Sequence, residues 1–351
     1  MAQASPTTLG FLTWSSSVPT GGNVYDDRLT ESLLAAGADL HRHHVRGVWP
    51  RDSEQHRAEV AAVLRSRPVW LVDSIIACAV PDLVAEATER GQRVIILLHS
   101  LLSSELGLSE TDQQRYRALE AAALRAASRV VTPSQWAADD LRQRYGITDT
   151  AVARPGVEAS PLTAGSPSGN RLLSLGSLTP TKDQLGFAAA LSRVAQLPWS
   201  ARLVGGDRVR PDYTAALRRS LRQQRLDSRI MITGPLTGSA LDGVWADTDL
   251  LVLTSRSETY AMVVAEALAH GIPAVVTGGT GAVEALGQVD GIVPGTAVPA
   301  GDTATLTAVL QRWLTDQQLR DEWRAAARRR RDTLTTWSDC AAIVLTALVD
   351  P

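Results

Sequence analysis

The sequence predicts an α/β protein of two doubly wound domains in tandem. Three observations carry this. Apolar strand patterns alternate with helical patterns along almost all of its 351 residues, a breaker-rich stretch interrupts them near the middle, and the pattern then restarts. A chain of this length exceeds one typical hydrophobic core, so two domains of ordinary size are expected.

In the first half, the apolar runs Thr8–Thr13, Ala38–His43, Val69–Asp73, Arg93–His99 and Arg129–Thr132 have strand length. Amphipathic stretches fill the gaps, among them Tyr25–Ala36, Glu54–Arg65 and Tyr116–Ala127. The segment 159–170 is small, polar and rich in Pro and Gly, which predicts an interdomain linker. Strands resume at Arg171–Leu175, Ala201–Val204, Arg229–Ile232, Leu250–Leu253 and Pro273–Val276. The expected domains are 1–160 and 161–331, with a last apolar helix at about 332–351 packing back on the first. Ligand is expected in a cleft between the domains, at the carboxyl ends of the strands.

Composition excludes several classes. A net charge of −2 with 44% hydrophobic residues argues against a chain built to bind nucleic acid or anionic membrane. No apolar run reaches membrane-span length, and Met1–Pro6 lacks the features of a signal peptide, so the expected compartment is the cytoplasm. Cys78 and Cys340 sit among aliphatic residues and read as reduced core thiols. The arginines of 317–331 are diluted by Asp316, Asp321 and Glu322, which favours a solvated face over a nucleic-acid patch. A homodimer is compatible with all of this.

The most informative stretch runs from Ser257 to Pro273. It places Glu258 in the loop after the strand Leu250–Leu253, and Glu266 two turns into the following helix, about 12 Å further along its axis. Glutamates at this spacing are often mere surface charges. Here Val263, Val264, Ala267 and Leu268 surround Glu266, so a solvated face is disfavoured, and a buried carboxylate needs a polar partner. One acid is suited to hexose hydroxyls and the other to a ribose diol.

With Gly176-Ser177-Leu178-Thr179-Pro180-Thr181-Lys182 and Ala267-Leu268-Ala269-His270-Gly271-Ile272-Pro273, these two glutamates make the chain resemble glycosyltransferase family 4. Pro19-Thr20-Gly21-Gly22-Asn23, His99 and Pro155-Gly156-Val157-Glu158 carry the resemblance more weakly. It implies the GT-B fold, two Rossmann-like domains facing each other across a cleft. It also implies retaining, hexosyltransferase-type chemistry on a nucleotide sugar, taken as a UDP- or GDP-sugar, while the sequence does not distinguish UDP from GDP or ADP. By the same resemblance Glu266 holds the donor ribose, Glu258 the transferred sugar and Lys182 the diphosphate. The donor site would comprise Gly21, Gly22, Gly176, Ser177, Lys182, Glu258, Tyr260, Ala261, Met262, Val263 and Glu266. His99, Lys182 and Glu258 would serve the chemistry, and Trp14, Asn23, Asp73 and His99 would face the acceptor.

Elementary chemistry agrees with these roles. A departing diphosphate gathers negative charge, which an ammonium and the amino end of the helix Gln184–Val194 would oppose. Read alone, Lys182 is as well an exposed surface lysine, Gly21-Gly22 an ordinary turn, and His99 a structural histidine at the mouth of the cleft. Three positions depart from the family. Ser177 stands where Arg is common, leaving Arg154 or Arg208 to compensate; Asp183 replaces a Gly and would cap the next helix. Ala261 also replaces a Gly, so a negative φ is expected there.

No metal and no cofactor is expected. Asp247-Thr248-Asp249 resembles the Asp-x-Asp metal motif of the other main glycosyltransferase fold, but it precedes its strand and reads as a capping turn. His41, His43 and His44 lack a completing ligand set. A glycoside hydrolase would need its two carboxylates about 5 Å apart, and a dehydrogenase would need a Gly-x-Gly-x-x-Gly after the first strand. The expected partners are a nucleoside-diphosphate sugar and a small polar acceptor, in a pathway such as natural-product biosynthesis. The alternatives are a non-catalytic sugar-nucleotide-binding protein and a GT-B enzyme acting on a glycan or lipid-linked acceptor.

Overall fold

The computed structural model describes residues 8–14, 20–47, 49–51 and 54–349. Met1–Pro6 and Pro19, on which two of the readings above rest, lie outside the described residues. The chain divides into unit 1, residues 1–156 with 335–351, and unit 2, Val157–Leu334.

Unit 1 runs β1 (Leu9–Trp14), α1 (Gly21–Ala35), β2 (Leu40–Val45), α2 (Glu54–Leu64), β3 (Val69–Asp73), α3 (Ser74–Ala79), α4 (Pro81–Glu89), β4 (Arg93–Leu97), α5 (Glu110–Ala126), β5 (Arg129–Thr132), α6 (Gln135–Tyr145) and β6 (Thr150–Val152). Its sheet is parallel in the order β2-β1-β3-β4-β5-β6. The central strands β3 and β4 are apolar almost throughout because helices cover both faces. The edge strand β2 is mostly only partly covered, with exposed His41 and His44.

Unit 2 runs β7 (Arg171–Leu175), α7 (Gln184–Ser192), β8 (Ser200–Val204), α8 (Pro211–Gln223), β9 (Ile230–Gly234), α9 (Gly238–Ala246), β10 (Leu250–Val252), α10 (Met262–Ala269), β11 (Ala274–Thr277), α11 (Ala282–Leu286), β12 (Gly295–Val298), α12 (Thr303–Thr315) and α13 (Gln317–Arg331). Its parallel sheet has the order β12-β11-β10-β7-β8-β9. The last helix, α14 (Trp337–Val349), belongs to unit 1 and packs on α1. A Cβ on Gly156 would fall 2.1 Å from the Trp337 backbone nitrogen, so this approach requires glycine.

Strand order locates the crevices. In unit 2 the order reverses between β7 and β10, and in unit 1 between β1 and β3. Carboxyl ends beside such a reversal diverge and leave room for a ligand.

Several expectations shift. The first domain ends at Gly156 rather than 160, and α14 leaves unit 2 at Thr335 rather than 332. The expected linker 159–170 is fastened to unit 2: Thr163 N donates to His270 O at 2.9 Å, and Ser166 donates to Asp249 through its backbone (2.5 Å) and hydroxyl (2.6 Å). The short strands β6 and β12 carry too little pattern to be read from sequence. Helix α1 starts at Gly21 rather than Tyr25, because Thr20 caps it by accepting from Asn23 N at 3.2 Å. The arginines of α13 form less of a solvated face than expected. Arg320 is buried and donates to Trp313 O, Arg324 to Ser166 O and Arg331 to Ser160 O.

Candidate functional site

Two groups of polar side chains gather at carboxyl ends of strands, one in each unit. In unit 2 the loop after β7 carries Gly176, Ser177 and Lys182, and the loop after β10 carries Glu258, Tyr260 and Ala261. The two loops are stitched together. Thr254 Oγ1 donates to the carbonyls of Lys182 and Asp183, both at 3.0 Å, and Arg256 N donates to Thr181 O at 2.7 Å. Across this seam the Lys182 ammonium meets Glu258 Oε1 at 2.5 Å. The glutamate is nearly enclosed, its side chain 11% exposed, and the lysine is 29% exposed.

A third loop supports Glu258 from behind. Gly281 N donates to Glu258 O at 2.8 Å, and a Cβ at Gly281 would lie 2.0 Å from Thr259 O, so only glycine permits this contact. Ser177 lends its carbonyl to Gln184 Nε2 at 3.0 Å. The cation that the structure ties to the Lys182 loop is Arg256. Besides its backbone bond, its Nε reaches Asp183 Oδ2 at 2.7 Å. Sequence reading passed over Arg256, although its place two residues before Glu258 was available as a signal.

Ala261 has φ 71° and ψ 72°, the left-handed region, which overturns the expected negative φ. Ala261 thus adopts a backbone that suits glycine, at a steric cost of about 1–2 kcal/mol. Asp183 does the same at φ 50° while capping α7 through Gly186 N at 3.1 Å, as expected of it. The α7 amino end is therefore partly satisfied by its own carboxylate. Helix α10 has no side-chain cap, so its amino end is the better supplied with unused donors.

Tyr260 is buried, and Met262 and Val263 are half-buried beside it. Glu266 is half-buried on α10 among Val264, Ala265 and Ala267, and no side-chain partner for it is found among the described residues. Burial pushes its carboxyl up to about 7.

In unit 1 the last residues of β1 and β3, Trp14 and Asp73, and His99 in the loop after β4 lie at one end of the sheet. Asn23 Nδ2 donates to Trp14 O at 2.9 Å, which ties α1 to the end of β1. Gly21 and Gly22 form the first turn of α1 rather than a loop, and a Cβ on Gly22 would sit 3.3 Å from the His99 ring. His99 lies two residues beyond its strand and is only 9% exposed, instead of standing open at a cleft mouth. Its Nε2 is 2.8 Å from Asp26 Oδ1 and 3.7 Å from Asp73 Oδ2. Asp73 is itself buried and caps α3 by accepting from Ile75 N at 2.6 Å. Asp26 was not foreseen. Its spacing to Leu29 and Leu33 puts it on the buried face of α1, which is the signal that could have found it.

The rival motifs resolve into structure. Asp249 is buried and accepts from Ser166, Arg171 and Arg324 at the amino end of β10, with Arg171 also reaching Asp247. These hydrogen bonds hold its carboxyl below the usual range despite burial. His43 pairs with Glu59 and His44 with Thr13, so no common centre forms from the His41–His44 run. No helix among the described residues is long and apolar enough to cross a membrane.

Comparison with known proteins agrees unit by unit. Residues 20–160 match the model described as Glycosyltransferase Family 4, and residues 169–316 that described as Glycosyl transferases group 1. The D-inositol 3-phosphate glycosyltransferase of Jonesia denitrificans is 30% identical over 186 residues, covering 51% of this chain and 43% of that protein. The 2-deoxystreptamine N-acetyl-D-glucosaminyltransferase of Streptomyces fradiae is 26% identical over 314 residues, 77% of this chain and 73% of that one. Among solved structures, Anabaena HepE in complex with UDP and glucose superposes with a TM-score of 0.74 at 20% identity, over 98% of this chain and 100% of that one. The sucrose-phosphate synthase of Thermosynechococcus elongatus gives 0.78 at 18% identity, over 97% and 98%. With paired Rossmann-like units and a matching model on each, the chain belongs to glycosyltransferase family 4 and has the GT-B fold.

Proposed function

We propose that the chain transfers a hexose from a nucleoside-diphosphate sugar to a small polar acceptor, with retention at the anomeric carbon and without a metal. The observation that carries this reading is the Lys182–Glu258 pair at the β7/β10 strand reversal, with Glu266 half-buried on the helix that follows and without a side-chain partner among the described residues. In this reading unit 2 binds donor and unit 1 acceptor. The ribose diol donates to Glu266, which gives that carboxylate the partner its burial calls for. Sugar hydroxyls donate to Glu258. As the C1–oxygen bond breaks, charge gathers on the diphosphate, and Lys182 together with the uncapped amino end of α10 opposes it. Ion pairing with Glu258 holds the Lys182 side chain in place before donor arrives.

HepE was solved with UDP and glucose, so UDP-glucose is the first donor to test. The two curated relatives are named for small acceptors, D-inositol 3-phosphate and 2-deoxystreptamine, which favours a small polar acceptor here. The cytoplasm is the compartment in which such substrates are expected. Incubation with UDP-glucose and a panel of polyols and aminocyclitols, in EDTA, should release UDP and give an α-linked product by NMR. A β-linked product, or activity that EDTA abolishes and magnesium restores, would overturn the reading. Lys182→Ala should lower turnover by roughly 100- to 1,000-fold, the loss typical of one such electrostatic contact; kinetics within a few-fold of wild type would remove the diphosphate from this loop.

A further inference from the structure

Asp26 is a costly residue where it stands. It is fully buried on the apolar face of α1, with Leu29 and Leu33 below it. It does not cap a helix, and among the described residues its side chain meets one polar group, Nε2 of His99 at 2.8 Å. Its second oxygen, Oδ2, is buried and has no hydrogen-bond partner among the described residues. Such an orphaned oxygen is destabilising, and nothing in the packing of α1 requires a carboxylate there. Asp73, by contrast, has structural work to do at the amino end of α3.

With Asp26 as a carboxylate, the direction of the contact follows. A carboxylate only accepts, so Nε2 of His99 carries hydrogen toward Asp26. Asp73 Oδ2 lies 3.7 Å from the same nitrogen. Two enclosed carboxylates beside one ring favour a cation between them, since in this low-dielectric setting they repel each other without one. The ring is held from other sides as well. Its backbone nitrogen donates to Ser74 Oγ at 3.2 Å, and the Tyr25 ring meets it edge-on with centroids 5.3 Å apart. Gly22 leaves just enough space for it.

We propose that Asp26 is a positioning residue, whose carboxylate, aided by that of Asp73, fixes His99 as an oriented imidazolium for sugar transfer. The proposal rests on the reading that His99 serves the transfer site. A neutral histidine could offer its donor from either nitrogen and turn between partners, whereas the clamped ring presents one fixed charge and one orientation. That suits a group on the donor or acceptor that is rich in oxygen and gains negative charge. Burial opposes the charged ring, but the charge of Asp26, its hydrogen bond, and Asp73 outweigh it and lift His99 to about 9. Burial correspondingly raises Asp73. The other titratable groups nearby are Tyr25, which bonds Ala153 O and Cys340 on α14, Cys78 on α3 and His44 on β2. None of these supplies a cation that would replace the ring at neutral pH.

The test uses the full chain. Imidazole nitrogens are followed by NMR from pH 5.5 to 10, with the signals of His99 assigned by their loss in His99→Gln. In wild type the ring should titrate near 9. In Asp26→Asn it should titrate at or below the ordinary 6.5, and the alkaline limb of kcat/KM for UDP-glucose should move down in parallel, with less change in KM than in kcat. Asp26→Glu should restore part of the alkaline activity. Wild-type His99 titrating below 7, or a titration that Asp26→Asn does not move, overturns the clamp and leaves the transferase reading standing. Should Asp26→Asn not fold, the wild-type and Asp26→Glu titrations decide by the same criterion. A divalent metal found stoichiometrically in the purified protein, and lost in Asp26→Asn, would also overturn it. His99→Gln with wild-type turnover would instead remove His99 from the site, and the positioning role with it.

Discussion

Replacing Glu266 by Gln should stabilise the protein and weaken its hold on nucleotide, two effects of opposite sign from one atom change. The carboxyl is half-buried without a side-chain partner among the described residues, and burial raises it from 4.5 to about 7. A folded pKa above the unfolded value means that the fold favours the protonated acid. The cost of ionising it is absent below about 4.5, grows through the interval, and is complete above about 7. At about 1.4 kcal/mol per pH unit the full shift would amount to roughly 3 kcal/mol; partial exposure screens this to about 1–2 kcal/mol. Glu266→Gln should therefore raise Tm at pH 8 by about 2–8 °C for a unit of this size and leave it unchanged near pH 4.5. The same change removes a charged acceptor for the ribose diol, costing about 1.5–3 kcal/mol, or roughly 10- to 100-fold in Kd for UDP. Thermal unfolding at both pH values, with and without UDP, and calorimetric titration at pH 8 measure every quantity. A variant that loses stability at pH 8 while binding UDP as tightly as wild type would show that Glu266 is a structural acid, and the donor site would have to lie elsewhere.

Asp249→Ala should destabilise unit 2 by about 3–5 kcal/mol, because Arg171, Arg324 and the Ser166 backbone lose a buried acceptor; a variant with wild-type Tm but lost activity would revive the metal-motif reading. Ala261→Gly should relieve the left-handed strain of about 1–2 kcal/mol, offset by roughly 0.4–1 kcal/mol of unfolded-state entropy. A Tm equal to or slightly above wild type is expected, in contrast to Ala267→Gly inside α10, which should lower stability by about 1 kcal/mol or more; equal losses in both would contradict the observed φ.

What the sequence determined by itself was whatever a local pattern can carry. The strands Val69–Asp73, Arg129–Thr132 and Arg171–Leu175 were legible to the residue, because long apolar runs between breakers admit few other conformations. The placement of Glu258 in a loop and Glu266 on the following helix followed from the same local rule, as did Asp183 as a cap, although Glu266 stands about one turn from the helix start at Met262 rather than two. Tertiary structure decided the rest. Lys182 and Glu258 are 76 residues apart and meet only because the strand order of unit 2 reverses between β7 and β10. Asp26 and His99 meet across 73 residues, through the packing of α1 against the end of β4. The fastening of 159–170 to Asp249 likewise has no local signature, since the acceptor lies more than 70 residues downstream. The backbone of Ala261 was misread for the same physical reason: the residue alone disfavours positive φ, and the surrounding loops, with Gly281 N bonded to Glu258 O, hold it there nonetheless.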